Sequence, residues 1–332
     1  MPMTTPLPLG PNQPADRPYR GGAGIARFRG VPQPGPATPE DFVGSTTELF
    51  GGGAGLTVLP DGRTLRDAVA DDPVAWLGEE HVRRYGSDTM LLVKLLDTAE
   101  RLFVHLHPDD AFAARHLASP HGKTEAWAII DAAPDAYATL GFRREVPLAE
   151  LQRWWETQDA EAMLDAMNRV PLAAGDTLLV PAGLMHAIGP GVTLVELQQP
   201  TDLSLLLERR ALGEREALLG LDLATAAGAL NRGVTDLDAL DALRGGGEGD
   251  SLFPAAADAF FRADRVRGGA QELEPGFSVL VVVDGEGMLD AGAASASPGL
   301  PLHRGMTVLT AHADGPLTVT GDLHAIRCRP PR

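Results

Sequence analysis

Val104-His105-Leu106-His107, then Gly122-Lys123-Thr124-Glu125, then Gly175-x5-Pro181-x-Gly183-x2-His186: the fold turns on these three stretches. Residues i and i+2 of a β-strand project to the same side of a sheet, so His105 and His107 face one way and Leu106 the other. Glu125 opens the apolar run Ala126 to Ile130, which reads as a further strand, and His186 follows a turn built from Pro181 and Gly183. Three imidazoles and one carboxylate converging on one point suit a borderline divalent ion. At the chain's own Gly, Pro and His frequencies, the four fixed positions of the third stretch would arise by chance roughly 0.01 times.

Outward from this block, short apolar runs separated by turns occupy residues 91–97, 102–106, 125–131, 137–142, 176–180 and 192–198. That spacing predicts an antiparallel barrel or sandwich over 90–208. Two helical segments interrupt it: Asp109 caps a helix over 110–117, and 147–168 carries an amphipathic pattern that includes Leu151, Trp154, Trp155, Met163 and Met167. At that spacing the tryptophans belong to the core. Upstream, residues 1–37 read as an extended arm with a turn at Tyr19-Arg20-Gly21-Gly22, and Thr38-Pro39-Glu40-Asp41 reads as a helix start, which closes an N-terminal unit at 89. Downstream, 209–264 reads as a helical connection with a flexible break at Gly245 to Gly249, and 265–332 returns to strands at 277–283, 306–310, 317–320 and 323–328. Gly175 to Val180 is echoed by Gly305 to Thr310, but Ala311 stands where Pro181 does and Pro316 where His186 does. The expectation is a mainly β fold with helical insertions and two barrels, only the first binding metal. His303, His312 and His324 are then ordinary surface or packing residues.

The 332-residue length and 44% hydrophobic content allow a substantial core. A formal net charge of −17 argues against nucleic-acid and anionic-membrane partners, which need a basic surface. Cys328, the single cysteine, has no intrachain partner, Met1 to Arg20 has no apolar core of a signal peptide, and no uninterrupted apolar run approaches 18 residues. A cytoplasmic protein of unspecified oligomeric state is expected. Of 28 basic residues only Lys94 and Lys123 are lysines. One lies in the apolar strand Leu91 to Leu96 and the other two residues before Glu125. An ammonium group shifts its pKa on burial in a way a guanidinium does not, which favours a functional reading of both.

With Val93-Lys94-Leu95-Leu96-Asp97, His107-Pro108-Asp109-Asp110, Gly122-Lys123-Thr124-Glu125-Ala126-Trp127, Pro181-Ala182-Gly183-Leu184-Met185-His186 and Glu196-Leu197-Gln198-Gln199, the chain resembles the cupin superfamily and, within it, the compact bacterial type I mannose-6-phosphate isomerases. The resemblance implies jelly-roll (cupin) barrels. It implies one divalent metal, zinc, on His105, His107, Glu125 and His186. The family's usual first ligand is glutamine, so His105 leaves Fe, Mn, Co and Ni open. It further implies aldose–ketose isomerisation of a sugar phosphate, mannose 6-phosphate to fructose 6-phosphate, through an enediol. By its place in that pattern Asp202 is the candidate base, its alternative being a turn cap in Pro200-Thr201-Asp202; Lys123 stabilises charge or shuttles a proton; and Lys94 and Glu196 are candidate substrate-binding groups, Glu196 alternatively an ion-pair partner. Two positions depart from the family's polar pocket: Phe103 where serine is common, and Leu206 where arginine is common. Arg20, Arg209 and Arg210 are candidates to replace that arginine in space. The departures keep three other readings open: an isomerase of another or unphosphorylated sugar, a metal-dependent cupin dioxygenase, and a non-catalytic sugar-binding cupin.

Overall fold

The computed structural model describes residues 6–49, 52–245, 249–291 and 299–332. Its strands are β1 (Leu7–Leu9), β2 (Glu40–Val43), β3 (Leu92–Asp97), β4 (His105–Leu106), β5 (Glu125–Ala132), β6 (Tyr137–Phe142), β7 (Met167–Pro171), β8 (Thr177–Val180), β9 (His186–Ile188), β10 (Val192–Gln198), β11 (Leu205–Leu206), β12 (Arg262–Leu273), β13 (Ser278–Ala291), β14 (Leu300–His303), β15 (Thr307–Thr310) and β16 (Leu317–Arg329). They form three antiparallel sheets, in the orders β2-β3-β10-β5-β8, β11-β4-β9-β6-β7 and β1-β15-β13-β16-β12, with β14 also against β13. The mainly β architecture with helical insertions is the one expected. Among the described residues, no helix is long and apolar enough to cross a membrane.

The first two sheets face each other, and the period of two in their strands decides where the site lies. On β3, β5 and β10 the inward positions are Lys94 and Leu96, then Glu125, Trp127 and Ile129, then Leu194, Glu196 and Gln198. Leu96, Trp127, Ile129 and Leu194 join Ala138, Leu140 and Ile188 of the opposite sheet in one apolar cluster. The other inward residues, all polar, gather at one end of that cluster. The outward positions Val93, Leu95, Ala126, Val195 and Leu197 pack on Val279, Val281, Leu309 and Ile326 of the C-terminal sheet. Both faces are thus covered, which is why β3 and β10 are buried along their whole lengths and read as continuous apolar runs with single charged interruptions. A charged residue held inside such a strand needs a partner there.

The C-terminal sheet has a second apolar cluster, built from Val266, Leu280, Val282, Leu302, Val319 and others of its own strands, so this sheet folds over itself. The two β-units echo each other at β8 and β15, each preceded by a left-handed glycine, Gly175 (φ 92) and Gly305 (φ 87). His303, His312 and His324 are exposed.

Several expectations give way to tertiary context. Thr38 starts no helix: Glu40–Val43 is strand β2, paired with β3 through Glu40↔Leu96 and Phe42↔Lys94. Its acids serve buried cations instead of a helix terminus, and a two-residue capping signal is weak against that pairing. The arm holds a short helix, Gly24–Arg29, whose first N–H groups are accepted by buried Asp97. The segment 147–168 divides into helices Leu148–Thr157 and Ala160–Asp165 at left-handed Gln158, and Met167 already belongs to β7. Trp154 and Trp155 are core, as expected. The connection after 209 is mostly loop with short helices at Glu214–Ala217, Leu223–Ala226 and Leu237–Leu243. Of the expected break at 245–249, residues 246–248 lie outside the described residues. The runs 317–320 and 323–328 are one strand, β16, and the charged strand β12 beside it had no apolar pattern to announce it.

One ion pair ties these parts together. Asp41, fully buried on β2, accepts from Asn12 N at 2.8 Å and from Arg29 Nε at 2.5 Å, and Arg29 Nη1 reaches Thr307 Oγ1 of β15 at 3.2 Å. Arg29→Ala leaves a buried carboxylate with no cation. We expect a loss of about 3–5 kcal/mol of unfolding free energy, measured by urea denaturation, with part recovered in the Arg29→Ala/Asp41→Asn double variant.

Candidate active site

His105 of β4 and His186 of β9 are direct cross-strand partners, and His107 lies just beyond the end of β4. The ligand nitrogens of the three lie within 4.8 Å of one another. Each imidazole holds its Nδ1 against a backbone carbonyl at 2.8 Å: His105 on Phe103 O, His107 on Leu203 O and His186 on Leu184 O. A carbonyl only accepts, so in all three rings Nδ1 carries the proton and Nε2 presents a lone pair. This is the tautomer a metal ligand needs, fixed by the chain itself. Burial, with repulsion from the neighbouring imidazoles, drives His105 well below its ordinary pKa; burial and Lys123 bring His107 down to about 4. Both rings are therefore neutral at pH 7.

Glu125 enters from the facing sheet. Its Oε2 lies 3.1 Å from His107 Nε2 and its Oε1 3.3 Å from His186 Nε2. With the protons on Nδ1, these are acceptor-to-acceptor approaches, and buried His186 Nε2 has no hydrogen-bond partner. A divalent cation between them would convert this confrontation into coordination, so the donor set fits a metal. Trp127 Nε1 orients the carboxylate by donating to Oε1 at 3.0 Å. The Lys123 ammonium holds Glu125 ionised well below the usual carboxylate range despite its burial.

The Gly-Lys-Thr-Glu run owes its form to close packing. A Cβ on Gly122 would overlap the backbone of Pro108 and Asp109, and Lys123 N donates to Pro108 O at 2.8 Å. Asp110 Oδ1 accepts from Gly122 N at 2.7 Å and from Gln199 Nε2 at 2.8 Å, while Gln199 Oε1 accepts from Thr124 N at 2.8 Å. Gly183 (φ 82) returns a hydrogen bond to His107 O at 2.8 Å. These bonds place the Lys123 ammonium 2.8 Å from Glu125 Oε2, 3.0 Å from Glu196 Oε1 and 3.2 Å from His107 Nε2. Burial opposes its charge, but the two glutamates raise its pKa above the usual lysine value. Burial pushes Glu196 up to about 7, Lys123 opposing and Glu125 adding to the rise, so this carboxyl exchanges protons near neutrality.

His105, His186, Glu125, Lys123 and Glu196 open on a cavity of about 530 Å3 that is also lined by Lys94, Asp202, Arg17 and Glu40. Lys94, 1% exposed, meets Glu40 Oε1 at 3.2 Å and Asp202 Oδ1 at 3.4 Å and lies 4.5 Å over the Phe42 ring. Phe103 and Leu206 line the wall, Leu206 directly opposite His105.

No family model matches the chain. It is 36% identical over 134 residues to mannose-6-phosphate isomerase of Streptococcus mutans, covering 39% of this chain and 41% of that protein. It is 38% identical over 112 residues to mannose-6-phosphate isomerase ManA of Bacillus subtilis, covering 34% of each. The chain thus spans about two fifths or less of the length of the curated relatives it matches. Across nearly its whole length it shares the fold of the crystal structure of mannose 6-phosphate isomerase from Bacillus subtilis, at a TM-score of 0.71 and 22% identity, covering 97% of this chain and 99% of that one. Over about two fifths of its length the chain is similar in sequence to mannose-6-phosphate isomerases, and over nearly all of it in fold.

The mannose-6-phosphate isomerase resemblance read from the sequence marked eight site residues, and the fold brings all eight to this end of the first two sheets. What the sequence reading missed is Glu40, taken there for a helix start, and Arg17 and Tyr19, taken for parts of a wrapping arm. Lys94 was the available signal for Glu40, since an ammonium in an apolar strand demands a nearby carboxylate. The three arginines offered as replacements lie elsewhere. Arg209 stacks on Trp155 and pairs with Glu214 at 3.1 Å, Arg210 stacks on Phe103 and pairs with Glu208 at 3.1 Å, and Arg20 is exposed.

Proposed function

We propose that the chain is a metal-dependent aldose–ketose isomerase that interconverts mannose 6-phosphate and fructose 6-phosphate. The observation that carries this reading is the cluster of three imidazoles whose ligand nitrogens lie within 4.8 Å of one another, two of them facing Glu125, with Lys123, Glu196 and Asp202 in the cavity beside it. His105, His107, Glu125 and His186 would hold one divalent ion, zinc by the family resemblance. When bound, that ion supplies a Lewis acid that polarises the C1 and C2 oxygens, worth several kcal/mol toward the enediolate. A reducing cytoplasm suits the buried free thiol of Cys328.

The remaining work falls to side chains. Asp202 takes the C2 proton of the aldose as the C1–C2 double bond forms and the carbonyl electrons move to O1. Lys123 opposes the charge that develops on oxygen. Glu196 hands a proton to O1 and, in the second half, receives the one lost from O2 as the C2 carbonyl forms. Return of the proton from Asp202 to C1 completes the ketose. Lys94 holds Asp202 in place.

Proton NMR of mannose 6-phosphate in D2O with zinc-loaded protein tests the proposal. Fructose 6-phosphate should appear with loss of the C2 proton signal, and a chelator should stop both. No turnover and no exchange, with metal verified in the sample, would reject it. Turnover of free mannose that phosphorylation does not improve would instead favour the unphosphorylated-sugar reading, which Phe103 and Leu206 on the cavity wall suggest.

A further inference from the structure

We propose that Arg17, delivered by the N-terminal arm, is the residue that recognises the terminal phosphate of the substrate. This rests on the sugar-phosphate reading above. With Leu206 on β11, no guanidinium reaches the cavity from beside His105. Among the described residues, the lysines and arginines that line it are Lys123, Lys94 and Arg17. Their side chains are 6%, 1% and 19% exposed, so Arg17 is the outermost. Lys123 is committed to Glu125 and Glu196 beside the ligand set, and Lys94 to Glu40 and Asp202. A sugar whose C1 and C2 lie against the metal ligands directs its far end toward the more open cation.

Arg17 keeps donors for that end. Its Nε pairs with Glu40, and its Nη2 reaches Asp202 Oδ1 only at 3.5 Å, the outer limit of a hydrogen bond. With Nη2 in only this long bond, the Nη edge can turn to a phosphate, which guanidinium meets with parallel N–H groups. Glu40 is held ionised at about 2 against its burial, chiefly by Arg17 and then by Lys94, and so anchors the guanidinium from behind.

The backbone is shaped for this delivery. Asp16, immediately before Arg17, is left-handed at φ 61, a conformation that costs a non-glycine residue free energy and that aspartate tolerates better than most. Pro18, immediately after, restricts Arg17 to extended backbone. Arg17 N is fixed to Ala37 O at 3.2 Å. The kink and the proline together turn the side chains of Arg17 and Tyr19 into the cavity from the arm.

Calorimetric binding to the metal-loaded protein separates this role from a structural one. Arg17→Ala should weaken mannose 6-phosphate binding by about 10- to 100-fold, the equivalent of a hydrogen-bonded charge, and change mannose binding by less than about threefold. Arg17→Lys should recover part of the loss. Inorganic phosphate should compete with the sugar phosphate in the unmodified chain and not in the alanine variant. Equal weakening of both sugars, or no weakening of either, overturns the proposal, as does an unmodified chain that binds the two equally well. Arg17→Gln replaces the alanine variant if that one loses its metal. Because binding is the readout, absence of turnover in the NMR experiment would reject the isomerase reading without deciding the role of Arg17.

Discussion

Replacing His186 with alanine is expected to reduce bound metal from one equivalent to a small fraction and to lower turnover of mannose 6-phosphate by about 1,000-fold or more, the loss of a Lewis acid worth several kcal/mol. The residue is 1% exposed, and its ring is held by Leu184 O so that Nε2 faces Glu125 Oε1. Alanine removes one of the three nitrogens and leaves His105 without its cross-strand ring, whose centroid lies 4.1 Å away. Two nitrogens and one carboxylate, already shared with Lys123, make a poor site for a divalent ion. His107→Ala should behave alike, whereas His324→Ala, on the exposed face of β16, should keep its metal. Elemental analysis of the purified variants checks this directly. Full occupancy in the His186 or His107 variant would remove the basis of the metal assignment whatever the activity.

What could be read from the sequence, and what could not, follows from the range of the interactions involved. His105 and His107 share a face because a strand alternates, and Glu125 and His186 lie at strand starts marked by glycine and proline. Those are local rules, and the site they imply is the one the fold assembles. The exact ends of β6 and β10 were likewise written in apolar runs bounded by turns. Glu40 had the opposite fortune. Thr-Pro-Glu-Asp favours a helix start locally, but Lys94 and Arg29 are both buried and each claims one of its two acids. A cap worth about 1 kcal/mol does not outweigh two buried cations left without partners.

Arg17 and β12 show two further limits. Nothing within a few residues of Arg17 says that it lies beside Asp202, 185 positions away; only the restricted geometry of an X-Pro step was visible. β12, Arg-Ala-Asp-Arg-Val-Arg-Gly-Gly-Ala-Gln-Glu-Leu, is mostly charged and glycine residues with much of its length on an exposed ribbon with β16, so it lacks the apolar period by which strands are recognised. The first sheet was legible because both faces of its central strands are covered. The ribbon was not, since pairing rather than burial makes it a strand.

Asp202→Asn is expected to leave the metal content and the affinity for mannose 6-phosphate nearly unchanged while lowering turnover by about 100- to 10,000-fold, the range of a lost general base. The amide is isosteric, and its oxygen can still accept from Lys94 Nζ at 3.4 Å and Arg17 Nη2 at 3.5 Å, so the cavity keeps its shape. What it loses is a basic lone pair. If Asp202 moves the carbon-bound proton, exchange of the C2 proton with D2O must fall in step with isomerisation, because one group serves both. Exchange that persists while isomerisation falls would place Asp202 after proton removal, in the return to C1. Turnover within about threefold of the unmodified chain would remove it from the proton path and leave Glu196 as the base. Glu196 sits at about 7 beside Lys123, and its pKa already suits proton exchange at neutral pH. Asp202 is favoured over it for the carbon proton because Glu196 Oε1 is engaged by the Lys123 ammonium at 3.0 Å, whereas Asp202 Oδ1 meets Lys94 and Arg17 at the longer distances of 3.4 and 3.5 Å. The natural role of Glu196 is the oxygen proton, where a carboxyl that gives and takes within one hydrogen bond is enough.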